Sequence, residues 1–231
     1  MLIALDQDDL RITYTAGTFA TAVIAFTGIS HGLGGIQTEE FKSSISKSAA
    51  YGNMPSTVHV VDRHRRWFNH GLTARIQDTV ASILFNVEAN RAVTLGNSMG
   101  GFGAVVFAGR ISNCVRAIAF CPQSSVRRDR VRFENRWNDY VSKITQWELE
   151  DAIEEVGSEI DYHLFYGPGD QLDLMHARRF SELELPNVAV HLISQCGHDV
   201  AATLKARGML QPVLDKLIWE DHLSLRGGCL L

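Results

Sequence analysis

The chain has 231 residues, of which 45% are hydrophobic, so it can form one domain with a large core, whereas two domains would each be small. Its 22 basic and 26 acidic residues give a net charge of -4, so no overall positive charge favours nucleic acid or an anionic membrane as a partner. A small molecule or another protein is the favoured partner.

Several function classes lack their sequence signals. No apolar run approaches the ~18 residues of a membrane span, and the first residues, MLIALDQDDL, do not have the pattern of a signal peptide, so we expect a cytoplasmic protein. No HExxH, EF-hand, Walker A or post-strand GxGxxG pattern is present, so we expect no metal and no nucleotide cofactor. The cysteines are scattered without CxxC spacing, so we expect no disulfide among them: Cys114, Cys121, Cys196 and Cys229.

The predicted elements alternate between strands and helices along the chain. MLIAL and RITYTAG predict a β-hairpin with its turn at DQDDL, and EEFKSSISKSA predicts a short helix. Apolar residues at spacings of three and four predict a helix over 71–88, and further helices are expected after 98, over 173–183 and after 198. Short apolar, mostly β-branched runs predict strands at 22–26, 57–61, 92–95, 115–120, 161–167 and 188–194. This order predicts an α/β fold with a mostly parallel, doubly wound sheet and helices on both faces.

One segment, 123–159, lies outside this alternation in a chain that is otherwise predicted to be a single domain over 1–231. It is first rich in arginine and then acidic around 148–155; its arginines are Arg127, Arg128, Arg130, Arg132 and Arg136. The segment is either a small cap over a site or a solvated insertion. Because charge runs usually face water, the solvated interpretation is favoured for its charges.

The motif with the clearest chemical meaning is GNSMG at 96–100, which fits the GxSxG nucleophile elbow. A serine on a tight strand-to-helix turn needs glycine two residues before and after it, because side chains there would collide with neighbouring backbone. The motif follows a predicted strand and opens a predicted buried helix, which is the setting that it requires. Ser98 is therefore the candidate nucleophile, and a glycine-rich packing turn is the alternative.

A serine nucleophile needs a base, and His198 is the best candidate. It lies in SQCGHDV directly after the last predicted strand, at the same carboxyl edge of the sheet as Ser98. The other histidines fit strand interiors or the surface better, although His31 and His176 are less easily set aside. The acid that orients the base is expected in the GPGDQLD loop, where Asp170 is favoured as a mid-loop residue and Asp173 is the alternative, with a role as a helix N-cap.

These residues, in the order Ser98, Asp170, His198, resemble those of the α/β-hydrolase superfamily, and in particular its small, lidless, esterase-like members. The resemblance covers nearly the whole chain in element order, although the matching motifs are few. It implies an oxyanion hole formed by the backbone amide of Met99 and by one amide after the 22–26 strand, which is best placed at Ile29. The later pair His31-Gly32 is similar to the usual His-Gly pair but comes too far beyond the strand.

The DRHRRWFNHG loop at 62–71 also leaves a strand at the predicted site edge. Arg63, Arg65, Arg66 or Trp67 could contact an anionic or sugar-bearing substrate. The favoured alternative is a basic surface loop with Trp67 packed inward.

The resulting hypothesis is a serine hydrolase that cleaves an ester or thioester of a small-molecule acyl substrate through an acyl-enzyme on Ser98. An acyltransferase that uses the same three residues, with an alcohol or sugar as acceptor, is the second hypothesis. A noncatalytic binding protein with a hydrolase fold is the third, because a fold does not determine a function. The sequence does not specify the acyl chain, the leaving group or the oligomeric state.

Overall fold

The computed structural model describes residues 1–29, 39–48 and 52–219 of the chain. Within these ranges one sheet contains eight strands in the order β1-β2-β4-β3-β5-β6-β7-β8. The strands are β1 (Leu2–Asp6), β2 (Leu10–Thr15), β3 (Thr21–Phe26), β4 (Ser56–Asp62), β5 (Arg91–Asn97), β6 (Cys114–Phe120), β7 (Asp161–Tyr166) and β8 (Val188–Leu192). The predicted hairpin and the six further predicted strands are all present, with small differences at their ends.

The sheet is antiparallel only at its amino-terminal edge. Strand β2 pairs antiparallel with β1 and β4, and every later neighbour pair from β4–β3 to β7–β8 is parallel. The register aligns Phe26 with Gly96 and Asn97 with Phe120, so β3, β5 and β6 end side by side. The loops that leave these strands therefore meet at one edge of the sheet, where the candidate residues were expected.

Helices cover both faces of the sheet, as the sequence predicted. They are α1 (Lys42–Lys47), α2 (Leu72–Asn86), α3 (Met99–Ala108), α4 (Asn138–Val141), α5 (Gln171–Ser181), α6 (Val200–Ala206) and α7 (Leu210–Trp219). Helices α2, α3 and α5 contribute to one apolar core, and α1, α6 and α7 contribute to a second core on the opposite face. None of the helices in the described ranges combines the length and the apolar character that a membrane crossing requires.

Helix α3 is buried along its whole length, since all ten of its residues are inaccessible to solvent. It packs on β5 and between the neighbouring strands, where its three glycines bring its backbone close to other chain segments. A Cβ atom on Gly103, for example, would lie 2.5 Å from a ring carbon of Phe68. The tight packing of this helix fixes the position of the residue that precedes it, Ser98.

Helix α5 begins earlier than the sequence predicted, and this shift has a consequence for the candidate site. The helix was expected from residue 173, but it starts at Gln171 with Asp170 as its N-cap. The Asp170 carboxylate accepts hydrogen bonds from the backbone N–H groups of Leu172 and Asp173 at 2.9 and 3.0 Å. Asp173 therefore lies in the first helical turn, with its side chain free for another contact.

Candidate active site

Ser98 lies at the turn between β5 and α3 with an unusual backbone conformation. Its φ of 55° and ψ of -119° are values that a residue with a side chain rarely adopts, and strain of this kind is typical of a nucleophile elbow. A Cβ atom on Gly96 would lie 2.0 Å from the Gly100 carbonyl oxygen, and one on Gly100 would lie 2.1 Å from the Phe26 carbonyl oxygen. Glycine is thus required at both positions, for the reason that the sequence motif suggested.

The loops after β7 and β8 pack directly on each other, which brings the candidate base next to α5. The Gly169 N–H donates a 2.9 Å hydrogen bond to the Cys196 carbonyl oxygen. A Cβ atom on Gly167 would lie 2.2 Å from the Gly197 carbonyl oxygen, so only glycine permits this approach. Glycines in both loops therefore place His198 above the amino-terminal end of α5.

Ser98, His198 and Asp173 form a continuous hydrogen-bonded chain. His198 Nε2 lies 2.9 Å from Ser98 Oγ, and His198 Nδ1 lies 2.8 Å from Asp173 Oδ2. Because the Asp173 carboxylate can only accept a hydrogen bond, His198 carries its proton on Nδ1 and accepts the Ser98 hydroxyl proton at Nε2. The structure thus brings Ser98 and His198 together, as the sequence predicted.

The predicted pairing of Asp170 with His198 is wrong, because Asp173 is the acid that contacts the imidazole. Asp170 uses one carboxylate oxygen to cap α5 and the other to accept a 3.1 Å hydrogen bond from Arg136. Asp173 is almost fully buried, with 1% of its side chain exposed. Burial alone would raise the pKa of Asp173, but hydrogen bonds and charge interactions with His198 and Arg136 outweigh it and lower the pKa. Asp173 is therefore the ionised partner of His198.

Arg136 connects the acid to a second buried group of charges that the sequence did not reveal. Its guanidinium donates to Asp173 at 2.9 Å and to both carboxylate oxygens of Glu134. Glu134 also contacts His176 Nε2 at 3.0 Å, and His176 Nδ1 accepts the Ser124 backbone N–H at 3.1 Å. Burial opposes the ionised form of Glu134, yet its hydrogen bonds to His176 and Arg136 lower its pKa to about 2.

The solvated interpretation of the 123–159 arginines therefore holds for some of them and fails for Arg136. Arg128 and Arg132 are exposed, whereas only 19% of the Arg136 side chain is accessible. Arg136 also stacks over the ring of Trp137 at 5.6 Å, and that ring lies 6.1 Å from His198 between centroids. This segment thus contributes one wall of the candidate site.

The 62–71 loop forms a second wall, with Trp67 packed inward as the favoured alternative predicted. The buried Asp62 carboxylate accepts backbone hydrogen bonds from Arg66 at 2.6 Å and from Phe68 at 3.0 Å, which folds the loop back on itself. Trp67 is fully buried, and its ring centroid lies 6.3 Å from that of Trp137. Arg63 is instead turned to the surface, where it pairs with Asp6.

Gln123 is a further member of the site that sequence reasoning did not identify. It follows β6, is fully buried, and its Nε2 atom donates a 3.1 Å hydrogen bond to Ser98 Oγ. The Trp67 Nε1–H donates to Gln123 Oε1 at 3.3 Å. A buried amide that faces the nucleophile is a feature that no local sequence pattern predicts.

The backbone groups expected to hold an oxyanion lie beside Ser98. Met99 begins α3, so its N–H has no partner inside the helix and lies at the positive end of the helix dipole. A Cβ atom on Gly28 would lie 2.6 Å from the Asn97 carbonyl oxygen, so the chain just before Ile29 runs alongside the elbow. The role of Ile29 stays a prediction, and His31-Gly32 lies outside the described residues.

A buried carboxyl group lies beside this same stretch of chain. Burial raises the pKa of Glu40 to about 7, although the Gly28 N–H hydrogen-bonds to its carboxylate. An ideal Cβ on Gly28 would lie 3.3 Å from Glu40 Oε1. Glu40 thus packs against the segment that carries the proposed second oxyanion donor.

Metal-ligating atoms also meet near the triad. In the described ranges, ligand atoms of Cys121, Asp173 and His198 lie within 4.8 Å of one another. Asp173 and His198 are already hydrogen-bonded to each other, and burial together with the Asp173 carboxylate raises the pKa of the Cys121 thiol. A protonated thiol is a poor metal ligand, so these groups fit a hydrogen-bonded triad better than a metal site.

Comparison with solved structures identifies the fold. The capsule O-acetyltransferase of Neisseria meningitidis serogroup A matches with a TM-score of 0.60 and 16% identity over 90% of this chain and 92% of its own. Esterase Est2 of Thermogutta terrifontis matches with a TM-score of 0.62 and 14% identity over 98% and 94%. MenH from S. aureus matches with a TM-score of 0.56 and 12% identity over 91% and 98%. The chain has the α/β-hydrolase fold of these proteins.

Two comparisons at the level of sequence give no match: no family model fits the chain, and no curated protein is similar to it.

Proposed function

We propose that this chain, which has the α/β-hydrolase fold, is a serine hydrolase that cleaves a carboxylic ester or thioester through an acyl-enzyme on Ser98. The observation that carries the proposal is the chain of contacts from Ser98 Oγ to His198 Nε2 at 2.9 Å and from His198 Nδ1 to Asp173 at 2.8 Å. A serine, a histidine and an ionised acid in this arrangement are the parts that acyl transfer requires.

In the first half of the proposed reaction Ser98 attacks the acyl carbonyl carbon while His198 Nε2 takes the hydroxyl proton. Asp173 holds the Nδ1–H tautomer of His198 and stabilises the imidazolium that forms. The backbone N–H groups of Met99 and Ile29 are proposed to bind the oxyanion, where fixed donors act on charge that develops in the transition state. The leaving alcohol or thiol then takes the proton from His198, and the acyl group stays on Ser98.

In the second half His198 removes a proton from water, which attacks the acyl-enzyme. The bond between Ser98 Oγ and the acyl carbon breaks, and His198 returns the proton to Ser98 Oγ. The free carboxylic acid is released, and the enzyme returns to its starting protonation state. No cofactor is needed for this sequence.

Acyl transfer to an alcohol or a sugar is the second candidate, because it shares the acyl-enzyme and differs only in the acceptor. The similarity to a capsule O-acetyltransferase, with 90% of this chain covered, favours keeping it. Incubating the enzyme and an activated ester with competing alcohols and sugars separates the two candidates. Free acid as the main product supports hydrolysis, and a new ester supports transfer.

The experiment that tests the proposal compares wild type with Ser98→Ala. A fluorophosphonate should label the wild type and not the variant, and turnover of an activated ester should fall by up to about a millionfold. Labelling that persists in Ser98→Ala would assign the chemistry to another nucleophile. A wild type that neither labels nor turns over any member of an acyl-chain series would favour a noncatalytic binding protein.

A further inference from the structure

Gln123 provides a side-chain hydrogen bond to the proposed nucleophile that the proposed mechanism does not use. Its Nε2 atom lies 3.1 Å from Ser98 Oγ, on a residue that is fully buried. Ser98 Oγ thus has two partners, because it also lies 2.9 Å from His198 Nε2. One of these contacts has to use the hydroxyl proton and the other has to use an oxygen lone pair.

Trp67 determines which end of the Gln123 amide faces Ser98. An indole N–H can only donate, and the Trp67 Nε1–H reaches the Gln123 side chain at 3.3 Å, so the amide oxygen must lie on the Trp67 side. The NH₂ group then faces Ser98 and donates to its oxygen. The Ser98 hydroxyl proton is left for His198, which is the direction that general-base catalysis requires.

The contact to Trp67 is itself held in place by buried groups. The Asp62 carboxylate accepts backbone N–H groups on both sides of Trp67, from Arg66 at 2.6 Å and from Phe68 at 3.0 Å. The Asn69 side chain donates to the Trp67 carbonyl oxygen at 3.1 Å. The amide of Gln123 is therefore fixed by a rigid loop and does not rotate freely.

We infer that Gln123 is a catalytic residue that donates a hydrogen bond to Ser98 Oγ throughout the reaction, and that Trp67 is the positioning residue that keeps its donor facing Ser98. This inference rests on the proposed function. As His198 takes the hydroxyl proton, negative charge grows on Ser98 Oγ and the hydrogen bond from Gln123 strengthens. The same holds in deacylation, when the bond from Ser98 Oγ to the acyl carbon breaks and the oxygen departs. Gln123 keeps both of its amide protons in every step.

The experiment replaces the donor while it conserves the shape of the side chain. Gln123→Met has a similar volume and no amide, so the kcat for an activated ester and the rate of fluorophosphonate labelling should each fall about 10- to 100-fold, the value of a hydrogen bond to a charged group. KM should change by less than about twofold, because the contact strengthens only in the transition state. The matched control is Gln171→Met at an exposed glutamine at the start of α5, which should keep the wild-type rate.

A second variant tests the role of Trp67. Trp67→Phe removes the indole N–H, so the Gln123 amide can turn and present its oxygen to Ser98, which should lower kcat. In the double variant Trp67→Phe with Gln123→Met, the tryptophan change should lower kcat no further than Gln123→Met alone, because it acts through the amide. Effects on kcat that multiply independently would overturn the role of Trp67.

Each outcome bears on the inference. A wild-type kcat and labelling rate in Gln123→Met would refute it and leave the proposed function intact, whereas a wild type that does not label at all would refute the proposed function first. If Gln123→Met does not fold, Gln123→Glu carries the test, since it keeps an acceptor for Trp67 and places a second acceptor against Ser98. That variant should also lose labelling, and unchanged labelling would overturn the inference.

Discussion

Arg136 donates from Nη1 to Asp173 Oδ1 at 2.9 Å, while the other oxygen of the same carboxylate lies 2.8 Å from His198 Nδ1. The proposed triad acid is therefore shared between a permanent cation and the imidazole. Glu134, which also binds the Arg136 guanidinium, offsets part of that positive charge. Arg136 thus orients Asp173 and moderates how strongly Asp173 favours a protonated His198.

Arg136→Gln should move the acid limb of the kcat/KM profile to higher pH. With the guanidinium gone, the Asp173 charge acts more fully on His198, the imidazolium is stabilised, and a higher pH is needed to free the base. The pH profile of activated-ester hydrolysis measures this, with Arg132→Gln as the control because Arg132 is an exposed arginine of the same segment. An acid limb that stays in place or moves to lower pH would show that Arg136 has no electrostatic role.

The same substitution at two aspartates three residues apart tests which acid works with His198. Asp173→Asn should lower kcat about 10⁴-fold, because an amide that donates to Nδ1 favours the wrong imidazole tautomer. Asp170→Asn should leave kcat within about tenfold of wild type, since asparagine is also a good N-cap. Steady-state kinetics on both variants decides between them, and a larger loss in Asp170→Asn would restore the original assignment.

Sequence patterns were sufficient for the sheet, for Ser98 and for His198, because each depends on local features: apolar runs, two glycines around a serine and a histidine after a strand. The choice of Asp170 failed because it depended on where α5 begins. An acid followed three residues later by a second acid is itself an N-cap signal, with the first residue as the cap. That signal in DQLD would have left Asp173 for the histidine.

Gln123 and Arg136 could not be found in this way. Both lie in the 123–159 segment, which lacks the periodicity that assigns a residue to a face of a strand or helix. Their contacts join positions 25 and 37 residues apart, Gln123 to Ser98 and Arg136 to Asp173. Only the packing of the whole domain brings such residues together.

Gly96→Ala should abolish labelling of Ser98 and greatly lower the yield of folded protein. The new Cβ would lie 2.0 Å from the Gly100 carbonyl oxygen, a backbone atom inside a fully buried helix that cannot move aside. Gly109→Ala is the matched control, because a Cβ there lies 3.7 Å from the Glu155 carbonyl oxygen, and its φ of -71° suits alanine. Thermal unfolding and fluorophosphonate labelling measure both effects, and a stable, labelled Gly96→Ala variant would contradict the elbow geometry.

Two stacked histidines on β7 and β8 should make the fold sensitive to acid. His163 Nδ1 lies 3.2 Å from His191 Nε2, and burial lowers the pKa of His163 to about 3 and that of His191 to about 4. Both values lie below the ~6.5 of an unfolded histidine, so the unfolded chain binds protons that the folded chain does not. The contribution of the pair to stability is therefore full above about pH 6.5 and is lost as the pH falls toward 4.

Replacing both histidines with phenylalanine should flatten this part of the stability profile. Each titration that is removed should lower the slope of the unfolding free energy against pH by up to about 1.4 kcal/mol per pH unit between pH 6 and pH 4. Phenylalanine suits the site because His191 already stacks on Phe165 with ring centroids 4.6 Å apart. Urea unfolding at several pH values gives the slope, with His64→Gln as the control because His64 is a partly exposed residue beside Asp8. Since His163 and His191 are buried and neutral in the fold, a double variant with the wild-type slope would place the acid sensitivity in other groups, such as His59, whose pKa burial lowers to about 4.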